Sequence, residues 1–322
     1  MSTRKKVVRN STTKKRKTFI YSHDKSIADK QFVQLFLPVL QKSSKWNFQE
    51  FNKNKMYDLV NSKHNSVFSN NSYINNYVGG AVCSLTDKYK FHQCLNHLDF
   101  VPETQLIYNN IDDIVLGDGV YLLKADRLEY AKGITIVSKK EDINVKEGDK
   151  YVLQKKITNL KLIDGKRFDI RQYVIIVYDH DVIQFYLFDR FYLRKSSLHY
   201  DAASLDKAAN AVNFDSKRTF SFPAKGDLYE QIMKESTEKL KIALRCMTMK
   251  NSNNIKGFHI LGIDWLMDAN DSLWFIEVNH RPTLVHADII TLSKLLVKTV
   301  IHRVVEPLLA CRAVRSKKLI LL

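Results

Sequence analysis

Three oxygen-bearing side chains interrupt two apolar runs in "GIDWLMDANDSLWFIEVNHRP". Asp264 lies in the first run, and Glu277 and Asn279 lie in the second. Two strands joined by a turn at residues 270–271 would place Asp264 opposite Glu277, with Cβ atoms about 5 Å apart. Asn279 shares a strand face with Glu277 because the two are two residues apart. Hard oxygen ligands suit Mg²⁺, so the trio predicts a magnesium site; the alternative is a solvated hairpin face that is polar by chance.

Two lysines flank a short loop in "YLLKADRLEYAKGITI". Lys124 ends one predicted strand, and Lys132 and Gly133 precede the next. Lysines supply point charges for phosphate oxygens, and a glycine lets the backbone approach a ligand closely. The spacing matches neither a P-loop nor a dinucleotide-binding fingerprint. The loop therefore predicts phosphate binding only together with the carboxylate hairpin, and two surface lysines beside a hairpin are the alternative.

A charged strand face lies in "KRFDIRQYVII". Arg167, Asp169 and Arg171 alternate along this face, while the apolar residues between them point to a core. Arg194 ends the following strand, and a turn centred on residue 180 would place it opposite residue 166, beside Arg167. Clustered guanidinium groups indicate binding of phosphate or carboxylate groups. A structural ladder of salt bridges is the competing interpretation.

A mixed scaffold of strands and helices must position these side chains. Apolar alternation predicts short strands at "TQLIY", "GVYLLKAD", "KGITIVSK" and "YVLQKKI", and two long strands that turn at residues 179–181. Helical periodicity predicts a helix opened by Thr86, another over 227–250, and an amphipathic helix over 285–310. The N-terminal part is predicted to be helical in places, with a break at Pro38. The intermingled pattern favours an α+β or α/β class with mostly antiparallel sheet.

Positive charge dominates the composition. The chain of 322 residues has a net charge of +17, and residues 1–18 hold eight Lys and Arg and no acid. The first segment is therefore predicted to be a disordered basic arm. Because the rest of the chain is also basic, a polyanionic partner is expected: acidic protein tails, or nucleic acid through the arm.

The cysteines and the apolar runs indicate the cellular compartment of the protein. Four cysteines without CxxC spacing argue against a zinc ribbon and a disulfide framework, and favour a reducing compartment. His92, Cys94 and His97 lie close together, but the apolar residues around them have a helical period, so helix packing is expected and metal ligation is the alternative. No run approaches the roughly 18 apolar residues of a membrane helix, and the first residues do not form a secretory signal. A cytoplasmic protein is expected, with the nucleus as the alternative because of the arm.

Several blocks, taken in order, resemble the tubulin tyrosine ligase-like family of ATP-grasp ligases. They are the strand ending in Lys124, "KGI", "YVLQKKI", "RFDIRQYVII", "FYLRKSS" and "GIDWLMD…WFIEVNHRP", and they extend over residues 84–284. The resemblance implies an ATP-grasp fold, in which two α+β lobes with mostly antiparallel sheets clasp a nucleotide. The chain then divides into a basic arm, an N-terminal helical region with a linker, a central lobe, and a C-terminal lobe with the metal site and the closing helix: residues 1–18, 19–78, 79–150 and 151–322.

The resemblance also implies which residues bind the nucleotide and the metal. The expected contacts with the phosphates and adenine of ATP come from Lys124, Lys132, Gly133, Gln154, Lys155 and, as a weaker counterpart, Asn210. Mg²⁺ is expected on Asp264, Glu277 and Asn279.

The same resemblance implies a catalytic role for the arginine strand face. Arg171 and Arg194 would steady an acyl-phosphate or an amino-acid carboxylate, and Arg167 and Asp169 would complete that wall. The implied activity is an ATP-dependent ligation in which a protein carboxylate is phosphorylated and an amine then attacks the acyl-phosphate. The implied partners are a free amino acid and an acidic protein acceptor.

Two alternatives to protein ligation stay open at this point. One is a basic nucleic-acid-binding protein with a residual nucleotide site, whose affinity would fall steeply with salt. The other is an ATP-grasp ligase that joins small molecules or peptides, in which the strands around Asp169 and Asp264 would look much the same.

Overall fold

The computed structural model describes most of the chain from residue 85 onwards and five shorter segments before it. The described residues are 17–21, 27–42, 46–49, 59–61, 74–75, 85–126, 134–179, 182–206, 212, 215–247, 256–280 and 282–322. The predicted basic arm, except for its last two residues, lies outside them. Within the described part, no helix combines the length and the apolar character that crossing a membrane requires.

The N-terminal segments form one helix and four short strands. These are β1 (Lys17–Tyr21), α1 (Ile27–Gln41), β2 (Trp46–Gln49), β3 (Leu59–Asn61) and β4 (Ile74–Asn75). The predicted break at Pro38 was wrong, because α1 continues through it. A proline removes one helical hydrogen bond, but burial of Leu35, Phe36 and Leu40 in the core stabilises the helix on both sides of it.

The central part forms a four-stranded antiparallel sheet with a helix packed against it. Its elements are α2 (Lys88–Leu95), β5 (Thr104–Tyr108), β6 (Tyr121–Ala125), β7 (Ile134–Val137) and β8 (Lys150–Lys155). The four predicted strands are confirmed, in the order β5–β8–β6–β7. Thr86 does not cap the helix as predicted. Asp87 is the N-cap instead, and its carboxylate accepts a hydrogen bond from the Lys90 backbone N–H at 2.9 Å, which also suits the helix dipole.

The C-terminal half forms a larger, mostly antiparallel sheet with helices on both faces. Its elements are β9 (Leu162–Ile163), β10 (Lys166–Asp179), β11 (Val182–Phe188), β12 (Tyr192–Lys195), β13 (Thr219–Ser221), α3 (Asp227–Arg245), β14 (Lys256–Met267), β15 (Leu273–Asn279), α4 (Ile290–Val300), α5 (Glu306–Leu309) and β16 (Leu319–Leu321). A short π-helical stretch joins α4 to α5, so the predicted closing helix is confirmed with one irregularity. The predicted α+β class with mostly antiparallel sheets is confirmed.

Strand β10 lies at the centre of this sheet. It pairs with β11 and β12 on one side and with β14 on the other, and β15 lies beyond β14. The N-terminal strands join the same sheet through a parallel pairing of β4 with β14. The N-terminal strands therefore extend the sheet on the β14 side, an arrangement that the sequence did not predict.

The core explains where the polar face of β10 begins. Odd-numbered residues from Tyr173 to Val177 pack with α1 and the closing helices, and even-numbered residues from Val174 to Tyr178 pack with α2 and α3. Helices on both faces account for the nearly continuous apolar run in this strand. Towards the start of the strand, the odd-numbered face carries Arg171 and Asp169 and borders a cleft.

Candidate functional site

Four neighbouring strands carry charged side chains in one row. The strand register places Arg194 of β12 opposite Asp169 of β10, and Arg171 of β10 opposite Asp264 of β14. Asp264 in turn lies opposite Glu277 of β15, as the sequence predicted. Because residues directly opposite each other in a sheet project from the same face, the register alone brings all five side chains together.

The row contains a network of buried ion pairs. Arg171 binds Asp264 with two donors, Nε to Oδ1 and Nη2 to Oδ2, the second at 2.8 Å. Arg194 bridges both aspartates, since its Nε donates to Asp169 Oδ1 at 2.5 Å and its Nη2 lies 3.1 Å from Asp264 Oδ1. None of these four residues is more than 8% exposed. The salt-bridge ladder considered from the sequence therefore forms, and it lies in the wall of the cleft.

These contacts determine the direction of the pKa shifts of the charged side chains in the row. Burial alone would raise the pKa of the Asp264 carboxyl, but Arg171 and Arg194 outweigh burial and hold that pKa well below its ordinary value. Burial would lower the pKa of Arg171, and the charge of Asp264 raises it instead. The two arginines balance the two aspartates, so Glu277 is an additional negative charge beside them.

Asn279 ties the predicted metal ligands together. Its Nδ2 donates to Asp264 Oδ2 and to Glu277 Oε1, each at 3.1 Å. An amide turned through 180° presents its oxygen in the same place, so three oxygen-bearing groups converge on one small volume. This donor set fits Mg²⁺, which takes carboxylate and amide oxygens and keeps several waters. Since the arginines occupy lone pairs of Asp264, the side chains of Glu277 and Asn279 are the more available ligands.

The small sheet supplies the opposite wall of the cleft. Lys124 of β6 is 6% exposed, and its Nζ donates to the Oε1 atom of Gln154 on β8 at 2.6 Å. Burial lowers the pKa of Lys124 to about 8, although the charge of Glu277 acts in the opposite direction. Lys124 is thus a buried cation held by an uncharged amide and aimed at the acidic hairpin.

His92 of α2 stands behind this lysine. Its Nε2 lies 3.3 Å from Gln154 Nε2, and burial together with the charge of Lys124 lowers the pKa of His92 to about 3. The imidazole is therefore neutral, and with Nδ1 protonated it accepts a hydrogen bond from the Gln154 amide, which leaves Gln154 Oε1 for Lys124. The expected helix packing around His92 is observed, and within the described residues no three His, Cys, Asp or Glu side chains form a metal-binding group.

The two walls enclose a cleft of about 520 Å³. Such a volume is typical of a site for a small molecule or cofactor. The residues predicted from the sequence that line it are Lys124, Gln154, Lys155, Arg167, Asp169, Arg171, Arg194, Asp264, Glu277 and Asn279. The structure therefore brings together every predicted site residue that it describes.

Three of the predicted residues lie outside the described part of the chain, and Lys155 and Arg167 differ from the other cleft residues in their contacts. Lys132, Gly133 and Asn210 lie outside the described residues, so their roles stay predictions. Lys155 lines the cleft but turns its ammonium group to Glu103, 3.4 Å away at the surface. Burial lowers the pKa of Arg167, whose Nε has no hydrogen-bond partner within the described part of the chain.

One predicted neighbour relation was wrong. Arg194 lies opposite Asp169 and not opposite residue 166. The chain leaves the β10–β11 register at residues 189–191, which are not strand, and it re-enters the sheet as β12 with a shifted register. The shift carries Arg194 from the end of the arginine face to its middle, between both aspartates.

Sequence reasoning missed the contribution of His92 to the cleft. The sequence contained an indication of this contribution, because His92 is adjacent to Phe91 and precedes Leu95 by three residues. This spacing places His92 on the buried face of the helix. A polar side chain on such a face requires a buried partner. Nothing in the sequence identified Gln154 as that partner.

Two family models match the chain. The model of the tubulin-tyrosine ligase family matches residues 60–216, and the model of YheC/D-like ATP-grasp proteins matches residues 141–304. Together they extend over the small sheet and over the charged row of the large sheet.

Similar curated proteins come from several organisms. Tubulin glycylase 3B of Tetrahymena thermophila is 25% identical over 200 residues, which are 53% of this chain and 17% of that protein. The probable tubulin polyglutamylase TTLL2 of Mus musculus is 26% identical over 245 residues, 68% of this chain and 44% of the relative. The protein polyglycylase TTLL10 of Macaca fascicularis is 26% identical over 161 residues, 41% and 26% of the two chains. The chain thus spans less than half of the length of each of these relatives.

The matches and the geometry agree. Two mostly antiparallel sheets face each other across a cleft, and the blocks on which the resemblance rests lie on its walls. The chain belongs to the ATP-grasp proteins, and over residues 60–216 it is similar to the tubulin-tyrosine ligase family.

Proposed function

We propose that this protein is an ATP- and Mg²⁺-dependent carboxylate–amine ligase that adds an amino acid to a protein carboxylate. The observation that carries the proposal is the cleft in which an acid–amide trio, a pair of buried arginines and a buried lysine face one another. Relatives named as tubulin glycylases and polyglutamylases support amino-acid addition to a protein. An acidic acceptor suits the net charge of +17.

The two walls divide the binding of the nucleotide. Lys124 would contact the ATP phosphates from the small sheet, together with Lys132 and Gly133. Gln154 and Lys155 would line the adenine pocket, and Asn210 is a further nucleotide contact in this proposal. Asp264, Glu277 and Asn279 would hold Mg²⁺, which neutralises phosphate charge and polarises the phosphoryl group when bound.

The chemistry requires no nucleophilic side chain. An oxygen of the acceptor carboxylate attacks the γ-phosphorus of ATP, which gives an acyl-phosphate and ADP. The amine of the amino acid then attacks the acyl carbon, and the new amide, inorganic phosphate and one proton are the products. Both steps depend on orientation and on stabilisation of negative charge.

The arginine row supplies that stabilisation in the proposed reaction. The guanidinium groups of Arg171 and Arg194 would bind phosphoryl and carboxylate oxygens, with Arg167 at the end of the wall. Asp169 and Asp264 keep these groups in fixed orientations, since each accepts hydrogen bonds from an arginine. A wall prepared in this way does not have to reorganise when charge develops on the substrate.

The test is a ligation assay with the full chain. The protein is incubated with ATP, Mg²⁺, labelled glutamate or glycine, and tubulin or acidic peptides, and both ADP release and label in the acceptor are measured. Mg²⁺-dependent label in a protein acceptor is expected, and it should be lost in Glu277→Gln. Glu147→Gln, which changes an exposed acid of the small-sheet lobe, is the matched control and should stay active.

The outcomes separate the alternatives. Measurable ATP binding without ADP release across the whole acceptor panel would overturn the ligase proposal. Label that enters only free amino acids or short peptides would point to a small-molecule ATP-grasp ligase. Binding of single- or double-stranded DNA that weakens steeply with salt, without any turnover, would favour the nucleic-acid-binding alternative.

A further inference from the structure

Gly262 occupies an unexpected place in the large sheet. It lies inside β14, two residues before Asp264, and its strand neighbours are Tyr173 and Asn279. Glycine weakens a strand because it loses more conformational entropy than other residues and offers no side chain to pack. The backbone of Gly262 is not in the left-handed region, so conformational freedom does not explain it.

Lack of space explains why residue 262 is a glycine. A β-carbon at position 262 would lie 2.8 Å from Cβ of Pro282, 3.1 Å from Nη1 of Arg171 and 3.3 Å from Cδ of Arg171. Non-bonded carbon atoms normally stay about 3.5–4.0 Å apart. The proline ring and the arginine side chain therefore occupy the space that a side chain at 262 would need.

We propose that Gly262 and Pro282 are positioning residues for Arg171. The backbone of Gly262 and the ring of Pro282 form a slot that holds the arginine side chain so that its guanidinium faces Asp264 in the wall of the cleft. The effect of the slot on catalysis rests on the proposed ligase function, whereas its effect on the orientation of Arg171 does not.

The slot complements the ion pair. Nε and Nη2 of Arg171 bind Asp264, which fixes the plane of the guanidinium group, and the slot confines the carbon chain behind it. Two constraints at different points of one flexible side chain leave it a single position. A displacement of about 1 Å in a catalytic group can slow a reaction about 100-fold.

The experiment is a steric rescue with Gly262→Ala, Pro282→Gly and the double variant. Gly262→Ala should lower kcat for Mg²⁺-dependent ADP release at least tenfold, while KM for ATP changes less than about threefold, because Lys124 and Gln154 lie in the other wall. The double variant should recover several-fold of the lost kcat, since the shortest contact, to Pro282, is then gone. The matched control is Gly226→Ala, which adds a methyl group in extended backbone with no neighbour within 4 Å and should leave kcat unchanged.

A second readout does not depend on activity. In protein labelled with ¹⁵N-arginine, the buried Nε–H of Arg171 should give a slowly exchanging signal, assigned by its loss in Arg171→Lys. That signal should shift or exchange faster in Gly262→Ala and return towards the wild-type position in the double variant. An inactive wild type would contradict the ligase proposal, and the Arg171 signal would still show whether Gly262 and Pro282 position the arginine side chain.

Two results obtained with folded variants would overturn the slot. One is a Gly262→Ala variant with unchanged kcat and an unchanged Arg171 signal. The other is a double variant that is no better than Gly262→Ala in either readout. If Gly262→Ala does not fold, the double variant should fold, because its worst contact is removed, and equal failure of both variants would also overturn the proposal.

Discussion

The two walls of the cleft handle buried charge in opposite ways. In the large-sheet wall, Arg171 and Arg194 are paired with Asp169 and Asp264, and every one of these charges has an opposite charge within hydrogen-bonding distance. In the small-sheet wall, Lys124 is equally buried but is held by the neutral amide of Gln154.

The pKa shifts record this difference. The charges of Arg171 and Asp264 stabilise each other, so the pKa of the carboxyl falls and that of the guanidinium rises against the effect of burial. For Lys124, burial dominates and the pKa falls to about 8. We infer that the four paired charges of the large-sheet wall neutralise one another without a ligand, whereas Lys124 in the small-sheet wall carries a charge that an anion would neutralise.

Removal of one carboxylate from the paired wall should have the largest effect. Asp264→Ala leaves Arg171 without its partner and Arg194 with only Asp169. Loss of one member of a buried ion pair typically destabilises a protein by about 3–5 kcal/mol. We expect a decrease of that size in the free energy of unfolding, measured by chemical denaturation, so this variant is a poor probe of metal binding.

The control for this prediction removes both charges of the Arg171–Asp264 pair. In Arg171→Met/Asp264→Leu both partners are replaced by apolar side chains of similar size, and Arg194 retains Asp169. This double variant should be more stable than Asp264→Ala. A loss below about 1 kcal/mol in Asp264→Ala would show that the wall is not stabilised by its ion pairs, and the comparison of the two walls would fail.

The pH dependence of unfolding tests whether His92 is buried as a neutral ring behind the small-sheet wall. Its pKa is about 3 in the folded chain and 6.5 in the unfolded chain. The unfolded chain therefore takes up the proton first as the pH falls, and the stability that the neutral ring contributes above pH 6.5 is lost progressively below it. Between pH 7 and pH 4.5 the wild type should lose about 2.5 kcal/mol more than His92→Gln, which does not titrate. Equal pH dependence of unfolding in the two proteins would contradict the burial of a neutral ring.

Lys124→Met should separate stability from ligand binding. The folded-state pKa of about 8 lies below the ordinary value of 10.5, so the buried ammonium group destabilises the folded chain at neutral pH. Its removal should stabilise the ligand-free protein by about 1–2 kcal/mol, after allowance for the lost hydrogen bond to Gln154. The same variant should bind ATP at least tenfold more weakly, as measured by calorimetry.

The pH profile sharpens this prediction. Between pH 8 and pH 10.5 the unfolded chain binds more protons than the folded chain at this position, so wild-type stability rises with pH relative to Lys124→Met. Lys139→Met, at an exposed position of the same lobe, is the matched control and should change neither stability nor affinity. A destabilised Lys124→Met would mean that this wall is neutralised as fully as the other.

The sequence predicted one part of the site correctly, because Asp264 and Glu277 lie opposite each other and Asn279 shares the face of Glu277. The turn alone does not produce this pairing, since a β-bulge between Asp264 and Trp265 shifts the register by one residue and Trp265 lies opposite Phe275. The same reasoning misplaced Arg194, because residues 189–191 leave the strand and alternation cannot count across an irregular segment. Strand alternation thus predicts which residues share a face, whereas bulges and irregular connections change which residues lie opposite each other.

Contacts between distant segments were not predictable in this way. Lys124, Gln154 and His92 meet through sheet pairing and helix packing, across separations of 30 and 62 residues. The space beside Gly262 depends on how Arg171 and Pro282 pack, which strand alternation does not encode. Local periodicity thus predicted most strands and helices from residue 85 onwards and part of the site, and tertiary packing decided the rest.

Lys155 should show the smallest effect and mark the boundary of the small-sheet wall. It adjoins Gln154 in sequence, yet its side chain is 45% exposed and pairs with Glu103, 66% exposed, at 3.4 Å. Exposed ion pairs contribute between about 0 and 1 kcal/mol and are screened by salt. Lys155→Ala should therefore change the free energy of unfolding by less than about 0.5 kcal/mol at moderate salt in a denaturation experiment. A salt-insensitive loss above about 1 kcal/mol would mean that Lys155 interacts with the buried charges of the cleft and contributes to the charge of the small-sheet wall together with Lys124.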